Sequence, residues 1–226
     1  MQPTIKLNRQ SIKDDKLRKI ARRHGFGDKL LDDNTLLNSR RQLIPDNFKG
    51  DVWLFGYGSL IWNPGDLKIK TKDWFNDGPN LPIEFVRIST DKRVTLVIDK
   101  ESKPITTLWN LMNTNAFELA FNSLRKREGT IDKRIHFIKQ NDVAENSIQK
   151  TIQEWLIIKE LDVAIWTGLY LNHKTQDKRP SVSEIVYHLK SLKKSELKRA
   201  KEYIIKTPNQ VQTEYRKSIM SELNWE

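Results

Sequence analysis

The sequence predicts the α+β fold class with a mostly antiparallel or mixed sheet, on three observations. β-Branched and aromatic runs crowd the middle of the chain, segments of helical periodicity are inserted among them and appended after them, and turn residues divide the two. At 226 residues the chain can bury a proper core without disulfide or metal staples. Its organisation reads as a helical N-terminal extension over residues 1–50, followed by one domain over 51–226 that includes C-terminal helices.

The extension holds twelve Lys or Arg against six Asp. It predicts two short helices: one starts at Ser11 and carries Ile12, Leu17, Ile20 and Ala21, and the other spans roughly Asn34 to Leu43. Pro45, Asp46 and Gly50 then punctuate the chain. A strand over Val52 to Phe55 leads into a glycine-rich segment. The runs LPIEFVRIST and RVTLVID flank Asp91 and Lys92 as a hairpin, and ITTLWNLMN offers a further strand. NAFELAFNSLRKREG reads as a helix with Asn115 as N-cap and Gly129 as its stop. Strand RIHFIKQ, helix NSIQKTIQEWLIIKEL and strand VAIWTGLYL follow. In the last third, Ser181 and Glu184 have capping-box spacing, and Val182, Ile185, Leu189 and Leu192 line one helix face.

Composition narrows the chemistry. Cysteine is absent, which removes disulfides, thiolate nucleophiles and cysteine-ligated zinc. His24, His136, His173 and His188 are scattered and offer no metal-binding pair on one helical turn. The charged N-terminus lacks the apolar stretch of a secretion signal, and no segment reaches the roughly 20 apolar residues of a membrane span. The expectation is an intracellular, cytoplasmic protein with no membrane partner. A net charge of +11 and a pI near 9.7 attract polyanions whatever the function. However, the lysines are interleaved with Asp, Glu and Asn, as on a solvated surface, and no RRM, KH or helix-turn-helix signature is present. The sequence therefore argues against a nucleic-acid partner.

The segment Gly56-Tyr57-Gly58-Ser59 ends the first strand, and three glycine signatures fail there on spacing. Ile61 stands where a dinucleotide fingerprint needs its third glycine, no lysine follows Ser59 until Lys68 to give the Gly-Lys-Ser/Thr ending of a P-loop, and Tyr57 and Ile61 replace the glycines of a nucleophile elbow. What remains is a loop whose glycines permit positive φ and close approach of backbone to a ligand, with consecutive N–H groups available to an anion or carbonyl. An ordinary tight bend fits the same residues.

A carboxylate interrupts the helix after Asn115. Phe117, Phe121 and Leu124 form its apolar stripe, and Glu128 occupies the next position, with Arg125, Lys126 and Arg127 expected on the other sides. The negative end of the helix dipole disfavours a charged carboxylate there by about 0.3–1 kcal/mol, and partial burial acts in the same direction, as a proton shuttle near neutrality requires. The alternative is a frayed helix end with Glu128 paired to Arg125 or Lys126 in water. Glu84 is a second candidate carboxylate, placed by alternation on the strand face of Pro82 and Val86 and, in a closed sheet, inside a barrel.

Taken together, GDVWLFGYGSLIWNP and LRKREGT resemble the γ-glutamylcyclotransferase superfamily, most closely its ChaC-like, glutathione-degrading branch. Trp62 and Pro64 match that branch, and LDDNTLLNSRRQL looks like its helical lead-in. The resemblance implies a small mixed or antiparallel β-barrel flanked by helices, no cofactor, and a small-molecule γ-glutamyl substrate such as glutathione. It also implies the reaction: the glutamyl α-amine attacks its own γ-carbonyl, closing 5-oxoproline and expelling the amine. By motif position Glu128 is the base, the amides of Gly58, Ser59 and Leu60 hold the carboxylate or oxyanion, and Gly56, Tyr57 and Ile61 complete the binding segment. A non-catalytic binding protein on the same scaffold, holding a γ-glutamyl compound or nucleic acid, is the alternative. The compact segment after the first hairpin and the ending TPNQVQTEYRKSIMSELNW depart from the branch and are similar to a less characterised bacterial subgroup. Arg87 stands in for a family arginine, and Ser89, Tyr170, Tyr215 and Arg216 are candidates for the outer pocket.

Overall fold

Two sheets organise the strands of the computed structural model. It describes residues 18–19, 22–26, 32, 34–35, 38, 41, 44–65, 67–89, 91–112, 117–128, 135–168 and 178–225. Within these, the strands are β1 (Val52–Gly56), β2 (Asn80–Ile88), β3 (Val94–Ile98), β4 (Pro104–Thr106), β5 (Leu108–Leu111), β6 (Ile135–Lys139) and β7 (Val163–Thr167). The α-helices are α1 (Phe117–Glu128), α2 (Ser147–Lys159), α3 (Val182–Lys190), α4 (Lys194–Ile205) and α5 (Glu214–Glu222). The α+β class holds. The barrel does not: the strands form a four-stranded sheet, β5-β1-β7-β6, and a separate three-stranded sheet, β3-β2-β4. Among the described residues no ladder joins them into a closed cylinder.

The chain divides into two compact units, the first made of residues 1–56, 63–75 and 109–167, the second of 57–62, 76–108 and 168–226. In the first unit β1 runs parallel to β7, and β6 pairs antiparallel with β7. Because β1 and β7 are the inner strands, they read as nearly continuous apolar runs, and Phe55 stacks on Trp166 at 5.3 Å. Helix α2 packs on β6 and β7 through Ile148, Ile152, Trp155 and Leu156. Its N-cap is Asn146, whose side chain accepts from Gln149 N–H at 3.0 Å. In the N-terminal segment, the described residues Arg18, Lys19, Asn34, Thr35, Asn38 and Arg41 are helical, and Arg22–Phe26 form a π-turn. Just ahead of the helical residues Asn34 and Thr35, the Asp32 carboxylate accepts from the N–H of both, at 2.9 Å each. Its pKa is lowered, first by the Thr35 hydroxyl.

In the second unit β2 is the central strand, antiparallel to β3 and β4. The hairpin expected around Asp91 and Lys92 is present, with Lys92 at φ 66° and Ser89 N–H donating to Arg93 O at 2.9 Å. Helix α5 packs on β2, and α4 on β3. The capping box of α3 is complete: Ser181 Oγ accepts from Glu184 N–H, and Glu184 Oε2 from Ser181 N–H.

ITTLWNLMN is not one strand. It breaks at Thr107, leaving β4 in the second sheet and β5 in the first. Fully buried Thr107 donates from its amide (3.2 Å) and its hydroxyl (2.8 Å) to Pro79 O, and its own carbonyl accepts from Gly78 N–H at 3.0 Å. A Cβ on Gly78 would lie 2.7 Å from that carbonyl, so only glycine lets the two backbones approach.

Candidate functional site

The glycine segment continues β1. Gly56 is the last residue of the strand and Tyr57–Trp62 form bends and turns. Tyr57 and Leu60 are buried, whereas Gly58, Ser59 and Ile61 are half-buried, so access from solvent falls on the middle of the segment. The amide of Ile61 donates to Gly58 O at 3.1 Å. That bond commits the Ile61 amide to closing the turn. Positive φ occurs at Gly25 and Gly65 but at neither Gly56 nor Gly58, which corrects the expected reason for glycine here. At Gly58 a Cβ would lie 3.1 Å from the Tyr203 hydroxyl, so a side chain there would require that hydroxyl to give way by a few tenths of an ångström.

Helix α1 persists to Glu128, so the frayed alternative does not occur. Phe121 and Leu124 are buried as the stripe requires, and the Glu128 side chain is only 10% exposed. The arginines differ from expectation, since Arg125 and Arg127 are both buried. Arg125 lies over the Phe121 ring, 5.2 Å from its centroid. Arg127 pairs with Glu128 and donates from Nε to Asn63 O at 3.1 Å. Glu128 thus has its own neighbour Arg127 as a partner, and Arg127 ties the end of α1 to the residue that follows Trp62 in the chain. Residue 115, the expected N-cap, and Gly129, the expected stop, lie outside the described residues.

Glu84 is buried on β2, but not in a barrel. Glu84 pairs with Val97 and Arg87 with Thr95, so Phe85 and Val86 together oppose Leu96. This β-bulge takes Val86 out of alternation with Glu84. The carboxylate accepts from Phe85 N–H (2.8 Å) and, across the unit, from Tyr215 N–H (3.3 Å) in the first turn of α5. It caps that helix alongside Thr213, which accepts from Arg216 N–H at 3.1 Å. Burial is the main cause that pushes its pKa up, opposed by the hydrogen bonds from Thr213, Phe85 and Tyr215 and by the charge of Arg179.

The remaining described candidates each take part in hydrogen bonds within the protein. Ser89 Oγ donates to Asp91 and Arg93 O inside the hairpin turn. Arg87 lies beside Thr95 Oγ1 at 3.4 Å. The Tyr215 hydroxyl donates to Pro180 O (2.9 Å) and accepts from Arg179 (2.7 Å), and Arg179 also binds buried Asp99 at 2.8 Å. Arg216 donates to the carbonyls of Thr207 (2.7 Å), Pro208 (2.7 Å) and Val211 (2.8 Å). Burial lowers its pKa, and these carbonyls hold it in place of a carboxylate. Tyr170 lies outside the described residues.

Sequence reasoning missed Tyr203. It sits in the buried stripe Ala200, Tyr203, Ile204 of α4, a pattern that announces burial without saying which distant backbone the hydroxyl reaches. Among the described residues no three His, Asp or Glu side chains gather into a set able to hold a metal ion, and no helix is long and apolar enough to cross a membrane. No family model matches the chain, and no curated protein matches its sequence.

Proposed function

We propose that this protein is a γ-glutamylcyclotransferase, converting the γ-glutamyl group of glutathione or a related γ-glutamyl peptide or amine into 5-oxoproline. One observation carries the reading. The carboxylate at the end of α1 is held largely out of water by Arg127, and the same guanidinium grips the carbonyl of Asn63, next in sequence to the glycine segment. An ordinary surface glutamate needs no such mounting.

The chemistry asks for little else. Nucleophile and electrophile belong to one substrate molecule, so holding it in the cyclising conformer removes much of the entropic barrier. Glu128 takes a proton from the α-ammonium group and the freed amine attacks the γ-carbonyl. The C–N bond to the leaving amine breaks as Glu128 returns that proton to the leaving nitrogen. The second proton, which the attacking nitrogen sheds on becoming the lactam N–H, passes by way of Glu128 to the departing amine, which leaves as an ammonium. Amides of Gly58, Ser59 and Leu60 hold the substrate carboxylate or the oxyanion that develops on the γ-carbon. Gly58 and Ser59 are half-buried, which leaves this part of the turn within reach of a small ligand. A closed barrel of the family type is the finer fold this reading would carry; the described strands form two separate sheets.

The test is to incubate the purified protein with glutathione, γ-glutamyl dipeptides and γ-glutamyl amines and to measure 5-oxoproline. At least one substrate should yield product, and Glu128→Gln should lower the rate at least about a hundredfold, the scale of a positioned acid–base group. Full activity in the variant would remove Glu128 from the mechanism. Binding without product from any substrate would favour a non-catalytic binder on this scaffold.

A further inference from the structure

We propose that the Arg93 guanidinium selects γ-glutamyl substrates whose leaving group carries a carboxylate, namely γ-glutamyl peptides and amino acids, over those that release a simple amine. The inference rests on the γ-glutamyl reading and deepens it by naming the substrate class.

An aromatic ring links Arg93 to the glycine segment. Trp62, in the turn that follows Gly58 and Ser59, meets the Tyr203 ring edge-on at 5.3 Å and 73°. The Arg93 guanidinium lies over the face of the same ring, 5.5 Å from its centroid. The cation thus stands one ring away from the segment to which the γ-glutamyl reading assigns the glutamyl group. A leaving group of one or two residues extends about 3–7 Å beyond the scissile bond, at about 3.3–3.6 Å per residue. That span suits a carboxylate received beside the turn rather than within it.

The guanidinium is held in place with most of its donors unused. Its Nε–H donates to Asp91 Oδ2 at 2.7 Å. The other Asp91 oxygen accepts from the Ser89 hydroxyl, so Asp91 takes one nitrogen of the guanidinium and not a pair. Among the described residues no other acceptor meets this guanidinium, and the side chain is 29% exposed, which leaves both terminal amino groups available from solvent. The hairpin beneath is anchored: Ser89 N–H and its hydroxyl both donate to Arg93 O at 2.9 Å, His188 Nε2–H donates to Lys92 O at 2.9 Å, and Lys92 pairs with Glu196 at 3.2 Å. Paired N–H groups on a planar cation match the two oxygens of a carboxylate, and a side chain already ordered loses less freedom on binding one.

The test compares kcat/KM for a γ-glutamyl dipeptide, its C-terminal amide and a γ-glutamyl amine in wild type, Arg93→Met and Arg93→Lys. All three substrates share the glutamyl group, and only the first offers a leaving-group carboxylate. Wild type should prefer the dipeptide to its amide. Arg93→Met should lower kcat/KM for the dipeptide by about tenfold to a hundredfold, the range for a hydrogen bond to a charged group, with much smaller losses on the other two. Arg93→Lys should recover part of the preference, since an ammonium supplies charge without the fork. An equal loss on all three substrates, with a lowered thermal midpoint, would assign Arg93 to the hairpin and overturn the selection. An active wild type that converts dipeptide and amide equally well, or prefers the amine, would overturn it without recourse to any variant and leave the cyclotransferase reading standing. A wild type that converts no γ-glutamyl compound would overturn the functional reading, and this inference with it.

Discussion

Glu84→Met separates a structural carboxylate from a catalytic one. The wild-type carboxylate accepts from two backbone amides, Phe85 at 2.8 Å and Tyr215 at 3.3 Å, in a residue only 3% exposed. Methionine keeps the length and volume of the side chain and removes both acceptors. Each stranded donor costs about 1–3 kcal/mol, giving about 2–6 kcal/mol in all. The pH dependence is the sharper signature. Burial, the leading cause, raises the Glu84 pKa, so the folded state holds the proton to higher pH than the unfolded chain. Its contribution is complete below the ordinary carboxylate range and is lost as pH rises through the raised folded value. Methionine does not titrate. Urea titrations between about pH 4 and about pH 8 should therefore show the gap between wild type and variant largest at the acid end and narrowing as pH rises. A loss of stability below about 1 kcal/mol, or a gap that widens with pH, would refute the capping role. Intact stability with abolished 5-oxoproline formation would assign Glu84 to the chemistry.

Arg127→Met should destabilise the protein by about 3–5 kcal/mol in denaturant titrations, because it leaves the Glu128 carboxylate without its buried partner and releases Asn63 O. Arg216→Met removes the donors to three carbonyls of the 207–211 turn. It should cost at least about 2 kcal/mol, with the Arg216→Lys variant recovering only part, since one ammonium cannot reproduce the guanidinium fork. Gly78→Ala should lower stability by about 1–3 kcal/mol, as a methyl group is driven to 2.7 Å from the Thr107 carbonyl; an unchanged melting midpoint would show that the two segments separate freely.

Local pattern was enough for the elements. β-Branched and aromatic runs announced β1, the β2–β3 hairpin, β6 and β7, and the Ser181 capping box was readable because an N-cap and its partner lie within three residues of each other. The same holds for Glu128: its place on the α1 stripe follows from residues a turn or two away. Contacts between distant segments were not readable. The β-bulge after Glu84 moves side chains between faces without any mark in composition. Thr107 splits an apparently continuous strand only because Pro79 and Gly78 come to meet it.

Residue types and spacing thus decided, without coordinates, that the chain is α+β, that its first strand ends in a glycine turn, and that an acidic side chain interrupts an apolar helix face. Tertiary structure alone decided that the strands form two sheets, that Arg127 pairs with Glu128, that Glu84 caps α5, and that a phenol lies beside Gly58. Helical and strand periodicity are properties of neighbours along the backbone. Partners such as Glu84 and Tyr215 lie 131 residues apart, and their meeting follows from how whole elements pack, which no short window of sequence encodes.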